Sequence, residues 1–121
     1  MAHPTSKTNA HLVDTIAQLK AKSRETGAAL WRDVALRLSK SRKNWASPNL
    51  SRVSRYAPEG ATIVVPGKLL GTGEVSGSPT IVAYSVSAGA RAKVEEAGGR
   101  IMTLAELMND NPSGSGVYIL G

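Results

Sequence analysis

Pro58-Glu59-Gly60-Ala61-Thr62-Ile63-Val64-Val65-Pro66-Gly67-Lys68-Leu69-Leu70-Gly71 is the stretch at which the chain changes its structural language. Upstream of it apolar residues recur at helical spacing; downstream, strand formers gather in short runs between glycines and prolines. Pro58-Glu59-Gly60 breaks what precedes, and Thr62 to Val65 is a β-branched run bounded by Pro66-Gly67, the pattern of a strand. The fold class is therefore mixed α/β, helical in the first half and alternating between strand and helix in the second.

Towards the N-terminus, residues 49–56 read as a short helix with Leu50 and Val53 inward and Arg52 and Arg55 outward. Residues 41–48 have no period and end in Pro48, which makes them a basic loop. Before it, Leu30, Trp31, Val34, Ala35 and Leu38 form one helical stripe, with Arg32, Arg37 and Lys40 off it. A first helix starts near Asn9, carries Leu12, Val13, Ile16 and Leu19, and stops near Gly27. Residues 1–8 have no apolar periodicity and read as an extended arm.

Towards the C-terminus, Gly71, Gly73, Gly77 and Pro79 predict turns, and residues 65–73 a tight strand-to-strand turn. Thr80 to Val86 is a second strand. Ser87 caps a helix through Val94 that ends at Gly98-Gly99, and Thr103 with Glu106 makes a capping box for a helix at 104–108, stopped by Pro112. Residues 117–120 form a last strand. The organisation is an arm at 1–8 and one domain at 9–121, of which 9–57 is helical and basic and 61–121 is mixed α/β.

Charge is distributed unevenly over this plan. The net charge is +6, yet residues 1–60 hold eleven Lys/Arg against four Asp/Glu, and residues 61–121 hold four against five. Seven of the eight charged side chains from Arg32 to Arg55 are basic: Arg32, Arg37, Lys40, Arg42, Lys43, Arg52 and Arg55. Such a concentration repels itself, and a polyanion relieves it by charge pairing and counterion release. Nucleic acid is the partner this predicts, with Arg and Lys on phosphates and Trp45 either stacking on an unpaired base or packing on the core.

Other chemistries find little support. With no cysteine there is no disulfide, thiolate metal site or thiol nucleophile. His3 and His11 have no metal-ligand spacing, and the carboxylates are scattered, so no cofactor, metal or catalytic constellation is indicated. In Gly67-Lys68 the lysine precedes Gly71 and Gly73, the reverse of a phosphate loop. Met1 to Gln18 lacks the apolar run of a signal peptide and no long apolar segment follows, so a cytoplasmic protein without a membrane partner is expected. Residues 111–116 permit either a tight turn or close contact with RNA.

Several segments, in order, are similar to one known family: Ser6-Lys7-Thr8-Asn9; Ser41-Arg42-Lys43-Asn44; Asn49-Leu50-Ser51-Arg52; Val64 to Gly71; Ala97-Gly98-Gly99-Arg100-Ile101-Met102-Thr103-Leu104; and Asn111-Pro112-Ser113-Gly114-Ser115-Gly116-Val117. Over nearly its whole length the chain resembles the archaeal and eukaryotic large-subunit ribosomal protein family L-eighteen-e, related to bacterial ribosomal protein L-fifteen. Its short length resembles the archaeal members. It departs from the family at Ser113, where relatives often place Lys, and at Trp45.

The resemblance implies a non-enzymatic constituent of the cytoplasmic ribosome, with large-subunit ribosomal RNA and neighbouring ribosomal proteins as partners and no small-molecule substrate. It also implies an irregular β-β-α superhelix behind an N-terminal helical, basic portion. The expected RNA contacts are Lys7, Thr8, Asn9, Arg32, Lys40, Arg42, Lys43, Asn44, Asn49, Arg52, Arg55 and Lys68. Two other classes fit the charge: a free-standing RNA- or DNA-binding module, and a small α/β enzyme acting on an anionic substrate.

Overall fold

The structure, a computed structural model, describes residues 7–56, 61–75 and 77–120, without the side chains of residues 7–9, 42 and 56. Its elements are α1 (Lys7–Thr26), α2 (Ala29–Leu38), a 3-10 turn (Arg42–Asn44), α3 (Leu50–Tyr56), β1 (Thr62–Leu69), β2 (Thr80–Val86), α4 (Ala88–Glu96), β3 (Arg100–Met102), α5 (Leu104–Asp110) and β4 (Val117–Ile119). The mixed α/β class and the helical first portion are as expected. α1 begins at Lys7, two residues before the expected start, so the last two residues assigned to an arm are helical; the breaker at 58–60 and the rest of the arm lie outside the described residues.

The four strands form one sheet in the order β3-β2-β1-β4, and each neighbouring pair is parallel. Because side chains alternate along a strand, the register sorts the core into two layers. Val64, Val82 and Met102 share one face and pack with Leu19 of α1, Trp31, Val34, Ala35 and Leu38 of α2, and Leu104, Leu107 and Met108 of α5. Ile63, Val65, Leu69, Ile81 and Ala83 take the other face and meet Leu50 and Val53 of α3 and Ala90 and Val94 of α4. A parallel sheet covered on both faces needs near-continuous apolar strands, which is why Ile63-Val64-Val65 and Ile81-Val82-Ala83 show no polar alternation.

Three expectations change. The segment 65–73 is not a tight strand-to-strand turn: β1 continues to Leu69, and β2 lies parallel to it, which demands a crossover rather than a hairpin. Pro66 is tolerated because the β1–β2 register shifts between Val65 and Lys68, where its missing N–H interrupts no regular ladder. β3 is a strand that periodicity did not reveal, since three residues are too few to display one. Val13 is 65 % exposed and stands outside the stripe assigned to it, whereas Leu19 is fully buried.

The caps follow the sequence closely. Ser87 Oγ accepts from the Ala90 amide, and Thr103 and Glu106 exchange both capping-box bonds. The Glu106 carboxyl is held below its ordinary range, first by the Thr103 amide, then by the Thr103 hydroxyl, with Arg100 adding attraction. The loop at 111–116 is a tight turn packed on α2. Trp31 Nε1 donates to Pro112 O at 2.8 Å, and Gly114, at φ +71°, sits so close to Leu30 that a β-carbon there would lie 2.7 Å from Cδ2.

Candidate nucleic-acid interface

α2 explains how the basic run is presented. With Trp31, Val34, Ala35 and Leu38 buried against the sheet, helical geometry leaves Arg32 exposed, and Lys40, past the helix end, is exposed too. Arg37 is half-buried and donates through Nε to Asp33 Oδ1 at 2.9 Å, an i,i+4 pair that orients its guanidinium along the helix. Arg32 lies in the first half of α2, and Lys40 two residues past its end.

After Ser39 the chain leaves the helix, and Trp45 reaches back to the backbone of this exit. The indole Nε1 donates to Leu38 O at 3.2 Å, a carbonyl that the helix end leaves without an intrahelical partner, and to Lys40 O just beyond it at 3.0 Å. Its ring meets Tyr84 of β2 edge-on, with centroids 5.4 Å apart. Of the two roles open to Trp45, packing is the one the structure displays. Beside it Arg37, Lys40, Asn44, Trp45, Ala46 and Pro66 line an open groove of about 220 Å³.

Residues 46–51 then run alongside the far end of β1. Lys68 N donates to Ala46 O at 3.0 Å, Leu70 N to Pro48 O at 2.9 Å and Leu50 N to Leu70 O at 3.1 Å, with parallel bridges Ala46 to Gly67 and Asn49 to Leu70. The edge of β1 that pairs with β4 over 62–64 is thus completed by the basic loop over 67–70. Gly67 permits this approach, since a β-carbon there would overlap the Ala46 carbonyl. The pairing brings exposed Lys68 against the segment that carries Asn49 and leads into α3, where Leu50 and Val53 are buried and Arg52 and Arg55 exposed.

Tyr84 joins a further piece. Its ring lies 5.7 Å from that of His11, so an aromatic row His11–Tyr84–Trp45 ties the first turns of α1 to the loop that follows α2. Lys7, Thr8 and Asn9 occupy the turn of α1 before His11. Arg42 opens the 3-10 turn; its side chain, like those of 7–9, lies outside the described set. Arg37 lines the groove and Tyr84 packs against Trp45, though periodicity and composition single out neither for such a position. A strand tyrosine carries no local signal of such a role, because it is the tertiary neighbours that create it.

Among the described residues no acidic side chain pairs with Arg32, Lys40, Lys43 or Lys68, and no group of His, Asp and Glu has the arrangement of a metal site. No helix among them is long and apolar enough to cross a membrane.

A small three-layer α/β protein whose first half displays a cationic face over helix, loop and helix is the class these features define. The chain belongs to the family described as "Ribosomal protein 60S L18 and 50S L18e", which it matches over residues 3–121. It is 46 % identical over 120 residues to the large ribosomal subunit protein eL18 of Methanoregula boonei, a match that covers 99 % of each chain. The eL18 of Methanospirillum hungatei is 44 % identical with the same coverage, and that of Halobacterium salinarum 44 % identical over 95 % of this chain and 98 % of its own length. The family resemblance read from the short sequence segments is thereby shown, and these relatives are consistent with the archaeal character read from it.

Proposed function

We propose that this chain is a non-enzymatic structural constituent of the large ribosomal subunit in the cytoplasm. On this reading it binds and stabilises folded ribosomal RNA through its basic first half, beside neighbouring ribosomal proteins. The observation that carries the reading is the sidedness of α2, the 42–46 loop and α3: Trp31, Val34, Ala35, Leu38, Leu50 and Val53 are buried in two core layers, while Arg32, Lys40, Lys43, Arg52 and Arg55 are all exposed. Arg forks and Lys ammonium groups contact phosphates, Lys68 extends the face, and Asn44 and Asn49 supply neutral hydrogen bonds. Lys7, Thr8, Asn9 and Arg42 complete it from the start of α1 and the 3-10 turn. Residues 61–121 act as the folded support of this face.

Binding to a transcript of archaeal large-subunit ribosomal RNA then weakens roughly tenfold or more over a few-fold rise in salt, because each neutralised phosphate releases counterions. Lys40→Ala combined with Lys43→Ala lowers the salt slope by about two and leaves the thermal transition in place. A flat salt profile for the unmodified chain refutes the reading. An unchanged slope in the double variant moves the contact surface elsewhere.

A further inference from the structure

Leu70, Gly71, Thr72 and Gly73 form a ribbon whose carbonyls are taken alternately by two different partners. Leu70 O and Thr72 O accept from the Leu50 and Ser51 amides at 3.1 and 3.2 Å; Gly71 O and Gly73 O accept from Lys93 Nζ of α4 at 2.7 and 2.9 Å. Leu50 and Ser51 are the first residues of α3, whose opening amides have no acceptor within the helix. The ribbon is therefore the N-terminal cap of α3, and Lys93 holds it from the opposite side.

Contacts at the glycines leave the ribbon little room. A β-carbon at Gly71 would lie 2.8 Å from Ala90 N, and one at Gly73, where φ is +99°, would lie 2.6 Å from Ser51 Cβ. Ser54 Oγ of α3 also donates to Glu74 O at 2.9 Å. Two helices that do not share a core layer with the groove at Trp45 are thus linked through four consecutive peptide groups. One of them, α3, carries Arg52 and Arg55.

We infer that Lys93 is a positioning residue for the RNA-binding face: its ammonium fixes the 70–73 ribbon, the ribbon caps α3, and α3 aims Arg52 and Arg55. This rests on the RNA-binding reading above. The charge of Lys93 serves the protein's own carbonyls, which separates it from Lys40 and Lys43, whose charges face outward with no acidic partner among the described residues.

Two measurements on the full-length chain test it. In the free protein, Lys93→Met speeds amide hydrogen exchange at Leu50 and Ser51 while the β1 and β2 amides keep their protection, and Lys93→Arg retains both. With the large-subunit RNA transcript, Lys93→Met binds about threefold to tenfold more weakly at an unchanged salt slope, and Lys93→Arg binds as the parent does. A slope reduced by about one makes Lys93 a phosphate contact and overturns the inference. Unmoved exchange at Leu50 and Ser51 overturns it too, as does unmoved affinity in a variant whose exchange has changed. If the unmodified chain does not bind the transcript, the ribosomal RNA reading falls; the exchange measurement then still decides whether Lys93 holds α3.

Discussion

Trp31 and Trp45 flank the same helix and do different work. Trp31 is fully buried, and its N–H reaches the Pro112 carbonyl, so it fastens the C-terminal turn to α2. Trp31→Phe keeps most of the ring but leaves Pro112 O without that donor; a loss of about 1–3 kcal/mol in urea unfolding is expected. Trp45 is half-buried, and its N–H closes the end of α2. Trp45→Phe should therefore cost about 1 kcal/mol in the same assay with the RNA salt slope unchanged, whereas a lowered slope would make the indole part of the contact. Glu106 gives a pH-dependent test. Its folded pKa lies below the ordinary carboxylate value, so the charged cap adds stability above the unfolded value, and that stability is lost as pH falls through the folded one. Melting of Glu106→Gln should trail the parent near neutrality and converge on it in acid; a gap independent of pH would assign the loss to side-chain shape.

At the scale of elements, what was legible depended on whether the signal was local. The Ser87 cap, the Thr103–Glu106 box and the inward Leu50 and Val53 each arise from residues within a turn of one another, and all three are present. The extent of β1 was not legible, because its far end is made by Ala46 to Asn49, which sequence separates from it by the whole of α3. Gly67 records that pairing as a missing side chain, and a lone glycine beside a proline reads equally well as a turn. Gly67→Ala should accordingly cost about 1–3 kcal/mol, since the methyl group meets the backbone of Ala46 rather than a side chain able to move. Urea unfolding indistinguishable from the parent would show that the loop can yield. The same variant reports on the candidate site, because the loop it disturbs carries Lys43, Asn44 and Asn49.

At the scale of the molecule, the two halves contribute differently: residues 61–121 build the sheet and lay α5 on one face and α4 on the other, and residues 7–56 complete the cover with α1 and α2 on the first face and α3 on the second. In a gradient of archaeal lysate, this chain should migrate with large subunits through a high-salt wash. A pool confined to the top of the gradient would favour a free-standing nucleic-acid module instead. Composition and periodicity by themselves determined the mixed α/β class, the helical basic half, the facing of α2 and α3 and the asymmetry of charge, because these depend on residue type and on spacing within a turn or two. Only the tertiary structure decided that the strands are all parallel, that Trp45 closes a helix, that His11 and Tyr84 bring the start of α1 to the basic loop, and that Lys93 reaches the cap of α3. Each of these is a contact between residues far apart in the chain, and no local pattern encodes which distant backbone a side chain will meet.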